Sequence, residues 1–224
     1  MTSSVRRGRA WGRPQRGPAE VEITGDDTAL ALVAREQPGA RVRFQPEGSD
    51  LARALGLAEG AAGGDLEVPV DGLVFDAIAL KDGPSMAVNA VVLGVAPDRL
   101  RWRAPEFATT VVVDGRTRFE GNAAAVVVAS GQYLRQADLV PRGHPGDGRA
   151  EVQVYALHRG ERRAMRGRLG AGTHVPHPRI HELGGQVIEL RVSRSVPLEV
   201  DGRPAGRVSA LRLEVVPAAA WILL

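Results

Sequence analysis

Gly60-Ala61-Ala62-Gly63-Gly64 is the stretch on which the fold turns, because the patterning of the sequence differs on its two sides. Before it, the apolar segment Val21-Glu22-Ile23 runs into Thr24-Gly25-Asp26-Asp27-Thr28. Leu30, Val33 and Ala34 then recur at helical spacing as far as Pro38-Gly39, and Arg41-Val42-Arg43-Phe44 alternates like a strand. Asp50-Leu51-Ala52-Arg53-Ala54-Leu55 reads as a short helix, with Ser49 or Asp50 as its cap and Gly56 as its stop. Strand, turn, helix, given twice, is an α/β rhythm. Beyond Gly64 the period becomes two, in segments 73–80, 86–93, 109–113, 124–128, 151–157, 187–192, 198–200 and 211–216. Asp114-Gly115 and Asp201-Gly202 are two-residue hairpin signals. In this half only 161–169 reads as a helix, short and basic. The expected class is α+β. A strand-rich, β-sandwich-like domain over 62–224 follows a small, incomplete α/β nucleotide-binding-like portion over 20–61 and a basic, disordered leader over 1–19.

Composition narrows the function. At 224 residues and 44% apolar the chain can bury a real core, and no run reaches the roughly 18 apolar residues of a membrane span. The start, Met1-Thr2-Ser3-Ser4, turns basic without an apolar signal segment, and cysteine is absent, so disulfides and thiolate metal sites are excluded. A cytoplasmic protein, peripheral to the membrane at most, is expected. The net charge is +3 and Lys81 is the only lysine, so the basic charge is arginine. Aromatics make up 4% and are scattered, which provides no stacking platform and argues against nucleic acid as a partner. Arg6, Arg7, Arg9, Arg13 and Arg16 read either as a solvated tail or as a surface for phosphates and anionic lipid head groups.

Several short strings, in order, resemble the bacterial diacylglycerol-kinase-like lipid kinases. Thr24-Gly25-Asp26-Asp27-Thr28 is similar to their G-G-D-G-T, and Pro46-Glu47-Gly48-Ser49-Asp50-Leu51-Ala52-Arg53 to P-x-G-T-x-N-D-hydrophobic-A-R. Val88-Asn89-Ala90 with Gly94 resembles a strand of their second domain, and Ser130-Gly131-Gln132-Tyr133 resembles N-G-x-Y. Asp147-Gly148 with Glu151 resembles D-D-G-x-x-D, and Pro197-Leu198-Glu199-Val200-Asp201-Gly202 resembles P-x-x-x-D-G-E. The resemblance implies a nucleotide domain, a β-sandwich domain and catalysis between them, with the γ-phosphoryl group of ATP passing to a lipid hydroxyl with magnesium. By the same resemblance Gly25, Asp26, Thr28, Gly48 and Ser49 lie at the nucleotide, Asp147 holds magnesium, and Asp201 is the general base. A lipid or lipid-like molecule is the implied partner, with contact to a membrane surface.

The departures from the family's pattern set a second reading beside the first. The family's opening strand has no counterpart before residue 20, which should leave a sheet edge to be covered by self-association into a homo-oligomer. Thr24 and Asp27 replace glycines, and Asp27 is expected to set a carboxylate against a triphosphate. Charges about 4 Å apart repel by roughly 1–4 kcal/mol across plausible dielectrics. The chain is therefore an ATP- and magnesium-dependent lipid kinase, or a non-catalytic pseudokinase that binds lipid or nucleotide or regulates a partner. Plainer readings also stand: 24–28 as a turn capping the next helix through Asp27 or Thr28, and Asp201-Gly202 and Asp147-Gly148 as turns. His174, His177 and His181 have metal-like spacing, but Pro176 and Pro178 make that segment an extended loop.

Overall fold

The computed structural model describes residues 12–57, 65–75 and 85–224. The 60–64 stretch, Arg6, Arg7, Arg9 and the end of the 73–80 segment lie outside the described residues. In chain order come β1 (Arg13–Pro14), β2 (Val21–Gly25), α1 (Asp27–Glu36), β3 (Ala40–Pro46), α2 (Asp50–Leu55) and β4 (Leu66–Phe75). Then follow β5 (Met86–Ala87), β6 (Ala90–Gly94), β7 (Phe107–Val113), β8 (Arg116–Ala123), β9 (Ala125–Ala129), β10 (Tyr133–Leu134), β11 (Ala137–Asp138) and β12 (Ala150–Tyr155). The chain closes with α3 (Arg162–Leu169), β13 (Ile180–Gly185), β14 (Val187–Val200) and β15 (Arg203–Leu223).

The strand-rich reading holds. Apart from the β10–β11 ribbon, the described strands form one continuous sheet, antiparallel except where β2 pairs with β3 and β3 with β15. Two long strands organise it. β14 pairs with β7 through residues 188–192 and with β6 through 198–200, so it passes from one neighbour to the other across an irregularity between Arg191 and Val196. β15 pairs first with β14, then with β4, and at Ala220–Ile222 runs parallel to β3. The small α/β part is thus sewn to the sandwich by the last strand of the chain. On the other side β2 pairs with no strand but β3 among the described residues.

Why these strands are so apolar follows from the layers. Leu73, Val91, Val128, Val152, Ile188 and Leu213 fill the interior of the sandwich. The opposite face of β6, β9 and β12 is also covered, with Val92, Val127 and Tyr155 packed against Leu100, Met165 and Leu169. A sheet buried on both faces needs no polar alternation, which accounts for the unbroken run 124–129. A third cluster joins α1 and α2 to the small sheet through Leu30, Val42, Phe44, Leu51, Val70 and Ile222.

The leader is a correction. Residues 12–19 are ordered: β1 pairs with β4, and Gln15 N–H donates to Asp65 O at 3.0 Å. Arg13 meets the wholly buried Glu67 at 2.5 Å and lies 3.3 Å over the Trp221 ring. A buried carboxylate needs a partner, and Arg13 supplies it. Periodicity could not reveal a two-residue strand. β13 was also missed, because the prolines before it suggested loop where His181 packs on Phe119.

Candidate active site

The two helix starts of the α/β part converge on the Asp201-Gly202 turn. Gly25 ends β2 at φ +153, where a Cβ would stand 2.9 Å from Ala29 Cβ, so the close approach of strand to helix needs glycine. Asp26, not Asp27 or Thr28, caps α1: its Oδ1 accepts the N–H groups of Thr28 at 3.1 Å and Ala29 at 3.2 Å. Its other oxygen accepts from the Arg203 guanidinium, with Nε at 3.0 Å. Ser49 caps α2, its Oγ accepting from Ala52 N at 2.9 Å, and Gly56 closes that helix in the left-handed region.

Asp27 overturns the expected clash with a phosphate. It is 4% exposed and turns inward between the two helices. Leu51 N–H donates to it at 3.2 Å, Asn89 Nδ2 donates at 2.9 Å, and the Ser49 hydroxyl donates as well. Burial, and next the negative charge of Asp201, raise its pKa to about 7. Asp201 is held just as firmly. Its carboxylate accepts Val88 N–H at 3.1 Å, Asn89 N–H at 3.0 Å and Ala90 N–H at 2.9 Å. Burial raises its pKa to about 6 although those three bonds work against the shift. Asn89 therefore touches both carboxylates, one through its side chain and one through its backbone. Its Oδ1 and the hydroxyl of Thr28 are buried without a hydrogen-bond partner.

A cleft of about 540 Å³ opens beside these groups, with Asp26, Thr28, Leu32, Met86, Asp201 and Arg203 on its walls. The structure thus brings Asp26, Thr28 and Asp201 together, with Gly25 shaping the turn into the cleft. Gly48 and Ser49 line a neighbouring hollow of about 440 Å³ with Asp50 and Arg53. Ser49, on the wall of this hollow, also donates to the buried Asp27 between the two helices. Asp147 is not brought in. It is exposed, accepts Arg149 N–H at 3.1 Å, and its charge acts on Asp71 and Glu151, away from the cleft lining. Among the described residues no group of three or more histidine or carboxylate side chains is placed to hold a metal ion.

Helix N-termini bind anions through free N–H groups. Here those of Thr28, Ala29, Leu51 and Ala52 already serve Asp26, Asp27 and Ser49. Sequence reasoning missed Asn89 and Arg135 as parts of this site. The signal for Asn89 was present: one amide in the otherwise apolar run 86–93. Arg135 pairs with Asp98 at 2.7 Å and with Glu199, and bonds Gly202 O at 3.5 Å, bracing the turn from outside.

Comparison with known proteins agrees with this architecture. Residues 82–224 match the YegS C-terminal NAD kinase beta sandwich-like domain. The chain is similar to a diacylglycerol kinase from Bacillus anthracis str. Sterne, with a TM-score of 0.71 and 15% identity over 91% of this chain and 76% of that one. It is also similar to yeast NADH kinase complexed with NADH, with a TM-score of 0.50 and 13% identity over 91% of this chain and 62% of that one. No curated protein matches it in sequence. At such identities the structural likeness speaks for the fold alone. No described helix is long and apolar enough to cross a membrane.

Proposed function

The chain belongs to the family of the YegS C-terminal NAD kinase beta sandwich-like domain, and from that premise we propose that it is a non-catalytic member which binds a lipid-like, hydroxyl-bearing molecule. The observation that carries this reading is Asp27. Its buried carboxylate, tied to Ser49, Leu51 and Asn89, takes the donors that a nucleotide phosphate would need. The cleft remains open and suits an amphipathic ligand. Leu32, Met86, Val200 and Pro204 offer apolar contact, while Asp201, Asp26 and Arg203 offer polar contact.

One observation favours the other reading, a working lipid kinase using ATP and magnesium. Asp201 faces the cleft with a pKa near 6, suited to receive a proton from an acceptor hydroxyl near neutral pH. Titration and labelled-phosphate transfer on wild type, Asp201→Asn and Asp27→Gly separate the two. The expected result is a rise in melting temperature with short-chain diacylglycerol, none with ATP and magnesium, and no transfer. Asp27→Gly should gain ATP binding. Transfer by wild type that falls by roughly 10²–10⁴-fold in Asp201→Asn would establish the kinase instead. Failure of wild type to bind any lipid-like ligand would remove the first reading.

A further inference from the structure

We infer that the loop 99–103 and helix α3 form a docking surface for an anionic lipid bilayer. Trp102 is 58% exposed, the most exposed large hydrophobic side chain among the described residues. The Arg103 guanidinium lies 4.9 Å from its ring centroid, and Arg101 is exposed on its other side in sequence. α3 packs against the 97–99 turn that leads into this loop, and its exposed residues include Arg163 and Arg168, with Arg159 just before it.

Two features show that the surface is built. First, the loop is held by an expensive device. The Arg162 side chain is wholly buried, and it donates to the carbonyls of Ala104 at 2.7 Å, Trp102 at 3.2 Å, Arg101 at 3.4 Å and Leu157 at 3.4 Å. It also pairs with Glu106 at 2.6 Å. A buried guanidinium is costly unless it is paired and hydrogen-bonded; here both terminal nitrogens are engaged while Nε has no partner, and the bonds they make fix a loop whose tip is an uncovered indole. Second, the positive charge is not neutralised locally. Asp98, Glu106 and Glu161 are engaged by Arg135, Arg162 and Arg179, whereas Arg101, Arg103, Arg159, Arg163 and Arg168 have no carboxylate partner among the described residues. An exposed indole with one arginine over its ring, another beside it in sequence and more on the helix packed against the same loop suits the head-group layer, where the ring sits at the interface and the guanidinium groups meet lipid phosphates. Nucleic acid is the poorer match, since stacking of successive bases needs more than one exposed ring.

The surface also touches the cleft indirectly. Arg135 bonds Asp98, just ahead of the loop, and Gly202 O in the turn that carries Asp201. A bilayer held at Trp102 would therefore lie against an element braced to the candidate site, although the docking itself is independent of whether the protein is a kinase.

Co-sedimentation of the full chain with vesicles tests the inference. Binding is expected to vesicles of phosphatidylglycerol mixed with phosphatidylcholine, not to phosphatidylcholine alone, and it should weaken with salt. Arg101→Gln and Arg163→Gln should each weaken partition about fivefold, the equivalent of roughly 1 kcal/mol per arginine near the surface. Trp102→Ala should release the protein from the mixed vesicles, and a lipid-induced blue shift in fluorescence should vanish in Trp102→Phe. All three positions are exposed, so an unchanged melting temperature checks the fold. Binding that survives Trp102→Ala, or that is lost only when Arg6, Arg7 and Arg9 are changed to Gln, overturns the inference. An oligonucleotide that binds more tightly than the vesicles, and is likewise released by Trp102→Ala, would assign the surface to nucleic acid instead.

Discussion

Two Asp-Gly hairpin turns of this protein share a dipeptide and a backbone, and almost nothing else. Asp114-Gly115 closes the β7–β8 hairpin at φ 49 and 74, and Asp201-Gly202 closes β14–β15 at φ 45 and 78. Both are the left-handed pairs that a two-residue hairpin requires. The Asp114 carboxylate stays at the surface, where it accepts the N–H groups of Gln186 and Val187, both at 2.9 Å, and those bonds lower its pKa. The Asp201 carboxylate is pressed into the seam between the sandwich and the α/β part, and burial raises its pKa. Local sequence dictates the turn. What the turn is docked into dictates the chemistry.

The largest effect that separates the two turns should come from Asp201→Ala against Asp114→Ala. Each loses the tolerance of aspartate for the left-handed region, so that cost is common to both. The excess in Asp201→Ala comes from three buried amides, those of Val88, Asn89 and Ala90, left without an acceptor. At roughly 1–3 kcal/mol for each unpaired group, partly offset by water entering from the cleft, about 4 kcal/mol is expected. The amides freed by Asp114→Ala are exposed and turn to water. Denaturant unfolding at pH 5 measures the gap, and equal midpoints for the two variants would show that Asp201 does not hold the seam.

The turns, helices and most strands were legible because each is written in a local pattern. Ser49 and Gly56 bracket α2 as their residue types suggest, and the segments 109–113 and 151–157 contain most of β7 and most of β12. The unread strands lack that pattern. β8 is largely exposed on both faces, and β1 is held by β4, Glu67 and Trp221, all far away in sequence. The site was half legible for the same reason. Asp26 and Asp201 could be placed by string resemblance, but the direction of Asp27 depends on where α2 starts in space. Nothing near residue 27 encodes that, so a carboxylate expected to repel phosphate proved to be the group that binds the two helices and Asn89 together. Even Asp201→Asn is less neutral than the hairpin alone suggests, since one amide hydrogen of asparagine would face a backbone N–H.

A smaller effect, and of opposite sign in the two turns, is expected from pH. Native Asp201 keeps its proton up to about pH 6, whereas in the unfolded chain it releases it near the ordinary carboxylate value of 3.8. The native state thus binds more protons between those values, and the Asp201 contribution is fully present below pH 4 and lost as pH rises through 6. A shift of this size corresponds to roughly 3 kcal/mol at most. Asp27 acts in the same direction up to about pH 7. Asp114, with its pKa lowered, contributes above its unfolded pKa and loses that contribution as pH falls through its native value. Melting temperatures from pH 3 to 8 should therefore flatten above pH 4 in Asp27→Asn and flatten below pH 4 in Asp114→Asn. A wild-type curve that rises steadily from pH 4 to 7 would contradict the buried carboxylate pair.

The smallest expected difference lies in the glycines, and it tests whether the two turns really share one backbone. Gly115 and Gly202 have φ of 74 and 78, and both permit the left-handed conformation without strain. Alanine at either position should cost about 1 kcal/mol, mainly the steric penalty of that region. Space does not separate the two sites. A Cβ on Gly115 meets nothing within 4 Å, and one on Gly202 comes no closer than 3.8 Å to Arg135 and Leu134, which is ordinary contact. The two variants should therefore unfold at the same denaturant concentration, within the scatter of measurement. If Gly202→Ala proves clearly the worse, the turn beside the cleft is under a constraint that its dihedral angles and neighbours do not reveal. The bracing of Gly202 O by Arg135 would then be the first contact to remove, and Arg135→Gln should bring the two turns back to equal sensitivity.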